Sequence, residues 1–474
     1  MRMVMATAVV LALVGAVAAP ATTAGPRATS DPSATSRPPA VDGFWRMDGY
    51  GTVLSVQDGT LQEYQTTAVS CLQGDSATRT APGSPVFTAP DGTVLTLRAG
   101  ADGVHASLRA DGSVGSRGLR RVGALPDACG RPAAGDPLAA FDVFWQTFEE
   151  NYPFFAAKGV DWHQVRARYR PRVHAGTTRD ELFAVFSEMT GPLRDAHVAV
   201  QDGRRVFYQV RAGTVLPSEE LDARVKQFVV ARDLKDATGL TEFARGRISY
   251  ADLPGDRGYL RISGFGGYTD DDNAPYTAEL AELDRALDTV FDRERVRRLR
   301  GLVVDLRING GGSDALGIRI AGRLTDSRYL AYAKRVRNDP ADPGRHTRPE
   351  PVYVTPAKAP RYTGPVAVLT GGSTVSAGET FTQALLDRPG RTVRIGQSTQ
   401  GVFSDVMTRA LPNGMAAWLP NEEFLTRSGR TFDGTGVPPH LVEPVFTEEE
   451  FAAGRDSAFD RALEVLRDRG GATG

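Results

Sequence analysis

Ser376 stands where an apolar run breaks into a helical pattern, in GPVAVLTGGSTVSAGE from Gly364 to Glu379, and a hydroxyl on such a corner can act as a nucleophile. A second stretch, GLVVDLRINGGGSD from Gly301 to Asp314, repeats the plan with a Val-rich strand, then Gly310, Gly311 and Gly312, then a helical pattern. The first amides of a helix are unpaired and its dipole favours negative charge there. The Ala377 N–H, next to the serine, is therefore the natural first donor to an oxyanion. Gly311 or Gly312 supplies the second, because a backbone without side chains can approach a substrate closely. The plainer readings are an N-cap serine and a glycine turn or phosphate loop. The glycine spacing fits neither GxGxxG nor a loop followed by Gly-Lys-Ser/Thr.

A serine nucleophile needs a base. No lysine follows Lys358, which rules out a lysine base downstream of Ser376, and six histidines remain. His105 alternates along a strand, His163 and His174 fall in or between helices, His346 lies in a Pro- and Arg-rich loop, and His440 follows Pro438-Pro439. His197, in LRDAHVAV, ends a helical region where an apolar strand begins. That junction can face a cleft; a satisfied surface histidine is the alternative.

The elements that must position these residues follow from periodicity. Residues 1–40 hold a basic start, an apolar run and a Thr-, Ser-, Pro- and Ala-rich tract, which reads as a secretory signal cleaved near Ala18 to Ala24 and a disordered spacer. A membrane anchor is the alternative, but the run falls short of the ~20 residues a spanning helix needs. Residues 41–130 alternate in short segments such as TVLSV and TVLTLRA between DG turns, the pattern of a small β domain. Residues 131–205 turn helical, with Phe141, Phe144, Trp145 and Phe148 on one face and a capping-box spacing at Thr178 and Glu181. Residues 206–257 connect to a core over 258–474, where strands and helices alternate as in a parallel sheet covered by helices. The fold class expected is multi-domain α+β.

Charge is nearly balanced, with 56 basic against 57 acidic residues, which provides no positive field for a nucleic-acid backbone. Cys71 and Cys129 are the two cysteines, and an exported chain is free to join them in a disulfide. Two unreactive thiols are the alternative. No HExxH and no Cys or His cluster suggests a metal, and Asp270, Asp271 and Asp272 lack the spacing of a calcium loop. No cofactor is expected.

Three ordered motifs carry a family resemblance: DLRINGGG (305–312), SAGE (376–379) and GQSTQG (396–401). The span from Gly258 to Pro444 resembles the C-terminal processing peptidases and the tricorn protease core, a family of serine peptidases. The helical stretch with ENYPFFAAKGVDW and LRDAH looks like the helical part of the tricorn-like branch. The resemblance implies a core of tail-specific protease (ClpP/crotonase-like) type. In the processing branch a lysine base follows the last glycine of the third motif, and this chain has Val402 there. The histidine-base branch is therefore implied, with His197 of Asp195-Ala196-His197 as base. A serine often precedes that histidine and helps orient it; Ala196 stands here. In a segment similar to EGxGVxPD, Asp433 takes the carboxylate position, one methylene shorter, as the group that would orient His197, and a turn residue is its plainer reading. Glu379 and Asp305 read as structural carboxylates. The interval before the core is too short for the peptide-binding PDZ module that relatives often carry.

The function expected is a secreted serine peptidase that acts on peptide or protein substrates through an acyl-enzyme, free of stable membrane insertion once its leader is removed. The alternative is a catalytically weak or inactive homologue that binds an apolar ligand or peptide. A thioester-directed use of the same oxyanion site has no basic patch to hold a coenzyme phosphate.

Overall fold

The computed structural model describes residues 41–131 and 134–467. The leader and spacer expected over residues 1–40 lie outside the described residues. Eight short strands alternate inward and outward: β1 (Gly43–Met47), β2 (Thr52–Gln57), β3 (Thr60–Thr67), β4 (Ser70–Arg79), β5 (Val86–Thr88), β6 (Val94–Ala99), β7 (His105–Ala110) and β8 (Arg117–Val122). They close into a barrel when β8 pairs back onto β1, and Trp45, Leu54, Phe87, Leu97 and Leu108 fill its interior. Closure removes the exposed edges that a small sheet would otherwise present. A disulfide joins Cys71 of β4 to Cys129, with Cα atoms 4.8 Å apart, and ties the barrel to the segment that enters the helices.

Four helices follow: α1 (Pro137–Asn151), α2 (Phe155–Lys158), α3 (Trp162–Tyr169) and α4 (Arg179–Thr190). Asp136 caps α1 by accepting from the Leu138 and Ala139 amides, and Thr178 and Glu181 cap α4 reciprocally. The apolar face of α1 meets α4, with the Phe144 and Phe186 rings stacked at 4.0 Å. Two strands end this region, β9 (Ala199–Asp202) and β10 (Arg205–Tyr208).

Within residues 206–257, expected as a connection, the chain forms α5 (Glu219–Arg232), β11 (Thr238–Phe243) and β12 (Ile248–Leu253), which extend the core sheet. The alternation in 238–253 is hidden because β11, at the sheet edge, is mostly exposed. The core continues with β13 (Arg257–Ile262), α6 (Tyr276–Val290), α7 (Arg293–Arg298), β14 (Gly301–Asp305), β15 (Ile308–Asn309), α8 (Asp314–Ala321), β16 (Tyr329–Val336), β17 (Glu350–Val354), β18 (Val366–Thr370), β19 (Ser373–Thr374), α9 (Ala377–Ala384) and β20 (Thr392–Gly396). It closes with β21 (Val406–Ala410), β22 (Ala416–Pro420), β23 (Glu422–Leu425), β24 (Leu441–Val442), α10 (Glu448–Ala453) and α11 (Ser457–Arg467).

The main sheet runs β11-β12-β13-β14-β18-β20-β24, antiparallel over its first three strands and parallel from β13 onward. Every residue of β14 and β18 is buried, as strands covered on both faces require. The β21–β22 hairpin leaves the core and pairs with β9, Ala417 opposite Val200, so the helical region and the core share one four-stranded sheet. This pairing anchors the chain just after His197. Among the described residues, no helix is long and apolar enough to cross a membrane.

Candidate active site

A two-residue parallel pairing brings the glycine turn and the serine corner together. Ile308 and Asn309 of β15 pair with Ser373 and Thr374 of β19, and each chain turns immediately afterward. The Asn309 side chain fixes the first turn, donating to the Ile262 carbonyl at 2.8 Å and accepting from the Gly311 amide at 3.0 Å. Its backbone carbonyl accepts from the Val375 amide at 3.0 Å, which holds the second turn against the first.

Gly311 and Gly312 sit at φ +84° and +127°, a region that side chains disfavour. A Cβ on Gly311 would lie 2.6 Å from Ser376 Cβ, and one on Gly312 would lie 2.1 Å from the Phe265 carbonyl oxygen. The turn thus packs directly on the serine. Its amides are not equivalent, because Asn309 occupies the Gly311 N–H. Around Gly312 the bridge to Phe265 runs through the Gly311 carbonyl and the Ser313 amide, and the Gly312 N–H has no acceptor among the described residues.

Ser376 adopts φ 56° and ψ −120° at the cap of α9. Such geometry in a residue with a side chain costs about 1–3 kcal/mol and persists only when its surroundings impose it. Ser376 is half-buried between fully buried neighbours. Its amide donates to the Val402 carbonyl at 3.1 Å and to Glu379 Oε2 at 3.2 Å. The Ala377 N–H, first in the helix, has no acceptor among the described residues.

Glu379 is completely buried and fastens the third motif to the serine. Its Oε1 accepts from the Thr399 hydroxyl and the Gly401 amide, both at 2.6 Å, and its Oε2 accepts from the Val402 amide at 2.8 Å as well as from Ser376. Burial pushes this carboxyl up to about 7, and the four donors oppose the rise. Asp305 ends β14 in a comparable network, accepting from Arg307 and from the Tyr259 hydroxyl, while Arg307 also pairs with Asp456 at 2.6 Å.

His197 reaches the same region from the helical side. Its neighbour Ala196 shares one small apolar cluster with Val375 and Val402, so the residues preceding the imidazole and the hydroxyl belong to the same packed unit. Burial holds the His197 pKa below its usual 6.5, against the opposing pull of Asp195, Asp405 and the Ser404 backbone. Its Nδ1 is buried and has no hydrogen-bond partner among the described residues. Asp195 Oδ1 accepts from the His197 amide at 3.0 Å, and Asp195 Oδ2 accepts from the Tyr152 hydroxyl at 2.9 Å and lies 3.9 Å from Lys158 Nζ. No hydrogen bond joins His197 to Ser376.

Asp433, expected to orient His197, makes no hydrogen bond to the imidazole. Its Oδ2 accepts from the Thr431 hydroxyl at 2.5 Å and its Oδ1 from the Phe403 amide at 3.3 Å. Burial raises its pKa well above the usual carboxylate value, with Asp195 and Glu379 adding to the rise. The short side chain is spent on its own loop and on residue 403. The other histidines find separate partners: His105 beside Asp102, His163 beside Glu149, His346 beside Glu423, and His440 accepting from the Arg394 amide. His174 accepts from the Gly176 amide. Among the described residues, no group of three or more His, Cys, Asp or Glu side chains is disposed to hold a metal ion.

Comparison with known proteins adds an independent line. Residues 256–442 match the model of peptidase family S41, and residues 136–191 match the tricorn protease C1 domain. Residues 256–442 are thus similar to peptidase family S41. A carboxy-terminal-processing protease of Bartonella bacilliformis is 28% identical over 193 residues, 40% of this chain and 39% of that protein. The chain therefore spans about two fifths of that relative's length. The crystal structure of a putative peptidase from Parabacteroides merdae superposes with a TM-score of 0.59 at 25% identity, covering 72% of this chain and 99% of that one. Mature CPAF shares the fold, with a TM-score of 0.52 at 13% identity over 70% of this chain and 96% of its own.

The S41 core carries the tail-specific protease fold behind an N-terminal β barrel and a helical region. Beside His197 and Asp195 stand charged groups that the motifs do not announce. Lys158 ends α2 beside Asp195, and its Nζ lies 3.8 Å from where a Cβ on Gly434 would be. Asp405 lies 3.7 Å from Lys334 Nζ and acts electrostatically on His197. A signal for Lys158 was present in its position within ENYPFFAAKGVDW, the segment that carries the tricorn-like resemblance.

Proposed function

We propose that the chain is a secreted serine peptidase that hydrolyses peptide bonds of peptide or protein substrates through an acyl-enzyme. Ser376 Oγ attacks the scissile carbonyl carbon as its proton passes to His197. The Gly312 and Ala377 N–H groups stabilise the oxyanion, and the leaving amine takes the proton from the imidazolium. Water then repeats the sequence on the ester. The observation that carries this reading is the packing of the glycine turn on Ser376, 2.6 Å from a notional Gly311 Cβ to Ser376 Cβ, beside two unpartnered amides. The base is the imidazole of His197, whose Nδ1 is without a partner among the described residues and which must swing or be drawn toward Ser376 on substrate binding; catalytic hydrogen bonds commonly tighten only in the complex. Asp195 holds the His197 backbone and supplies nearby negative charge, and Asp433 supports the loop around Phe403.

A fluorophosphonate probe tests the nucleophile. Wild-type protein should be labelled at Ser376, and Ser376→Ala should lose labelling together with peptide cleavage by several orders of magnitude. Cleavage that survives in Ser376→Ala refutes the assignment. The absence of a Ser376–His197 hydrogen bond favours the second reading, a weak or inactive homologue that binds an apolar ligand or peptide. That reading predicts no labelling and saturable ligand binding.

A further inference from the structure

At the opposite end of the parallel strands from Ser376, a groove of about 450 Å³ is lined by Arg293, Arg297, Lys358 and Arg361, with Asp326 its one carboxylate. Helix α7 leads into β14 and the loop holding Lys358 and Arg361 leads into β18, two adjacent parallel strands. Both strands deliver the serine site from their other ends, a strand of five residues spanning roughly 17 Å. The groove is therefore remote from the chemistry.

The arginines around α7 sort into two sets. Arg295 lies 3.0 Å from Asp292, Arg298 lies 3.6 Å from Asp252, and Arg300 lies 3.3 Å from Asp256. Arg293 and Arg297, four residues apart on one helix face, have no carboxylate partner among the described residues, and Lys358 across the groove has none there either. Arg361 donates only to the Ala357 and Ala359 carbonyls, and its Nε is buried without a partner. In a chain whose charges balance and whose arginines are widely ion-paired, four cations against one carboxylate in a single concavity leave a local positive potential.

We propose that this groove binds a phosphate-bearing ligand carrying more than one negative charge. The Arg293 and Arg297 guanidinium groups carry paired N–H donors suited to phosphate oxygens, and Lys358 and Arg361 add positive charge. The volume falls in the range of small-molecule sites, large enough for a di- or triphosphate or for a lipid headgroup. The inference does not depend on the peptidase reading, because binding is measured whether or not Ser376 cleaves peptides.

Calorimetric titration of the full chain with sodium tripolyphosphate should show saturable binding that weakens at least tenfold in Arg297→Glu and again in Lys358→Glu. Arg298→Glu, on the paired set, should bind as wild type. Sedimentation with phosphatidylglycerol vesicles, against phosphatidylcholine vesicles, separates the sources. Vesicle binding lost in the same variants identifies a lipid headgroup, and tripolyphosphate binding alone identifies a free phosphate compound. Peptide cleavage by Arg297→Glu should stay within about twofold of wild type. Binding of neither probe, or binding that both charge reversals leave intact, overturns the proposal.

Discussion

The Ser376 amide donates to Glu379 Oε2 at 3.2 Å, so the hydroxyl-bearing residue and the carboxylate one helical turn later are fastened through the backbone rather than through the side chain that would react. The same carboxylate grips Thr399, Gly401 and Val402. Glu379→Gln turns an NH2 toward donors that need an acceptor, and an unsatisfied buried donor costs about 1–3 kcal/mol. The variant should therefore lose at least tenfold in kcat and melt lower than wild type. The cost should depend on pH. The folded carboxyl sits at about 7, above its usual 4.5, because burial outweighs its hydrogen bonds. Its contribution to wild-type stability is thus complete below 4.5 and lost as pH rises through about 7. The variant lacks this titration, so the stability gap should narrow by up to about 3 kcal/mol between pH 4.5 and pH 8. Denaturant unfolding at several pH values measures it, and a gap that widens refutes the account.

Neighbouring glycines should respond differently. A methyl on Gly311 meets Ser376 Cβ at 2.6 Å and forces a residue with a side chain to φ +84°, whereas a methyl on Gly310 meets nothing within 4 Å. Gly311→Ala should abolish detectable cleavage and fluorophosphonate labelling and lower stability by about 1–3 kcal/mol. Gly310→Ala should retain most activity. Equal losses in the two variants would mean that the turn does not bear on the serine.

Local pattern made the strands and helices that carry Ser376 and Gly312 legible, because β14 and β18 are unbroken apolar runs ending in glycine-marked turns. The barrel was legible for a similar reason, through alternation between DG turns. The two-residue pairing of Ile308 with Ser373 was not, since so short a strand leaves no periodic trace. The docking of β22 on β9 depends on a long-range contact that neither segment announces. Asp433 was placed by motif position, and its side chain turned to Thr431 and Phe403, a choice set by reach rather than by spacing. Lys158 and Asp405 approach the site only because separate regions fold together.

The bond between Cys71 and Cys129 closes a loop with a sequence separation of 58. Chain-entropy arguments give about 4 kcal/mol for a loop of that length, though the partition between entropy and enthalpy depends on the model. Reduction, or Cys129→Ser, should lower the melting temperature of the barrel measurably while leaving the core sheet folded, since the bond touches no strand of the core. Calorimetry under reducing and non-reducing conditions checks this. An unchanged profile would show that the bond does not constrain the unfolded chain.

The position of His197 in the titration range separates the carboxylates around it. Its pKa is depressed chiefly by burial, and Asp195 is the largest opposing charge. A general base must be neutral, so the acidic limb of kcat/KM for the wild type should fall below pH 6.5. Asp195→Asn removes a charge that favours the imidazolium and should move that limb further down, while the loss of an anion near the developing cation lowers the plateau by about tenfold or more. Asp433→Asn should leave the limb in place, because Asp433 bonds to Thr431 and Phe403 rather than to the ring, and should act through loop order, raising KM more than it lowers kcat. Asparagine at Asp433 shifting the limb as far as asparagine at Asp195 would show that Asp433 acts on the imidazole after all. His197→Ala should remove the limb together with nearly all activity, and a limb that persists in that variant would assign the base to another group.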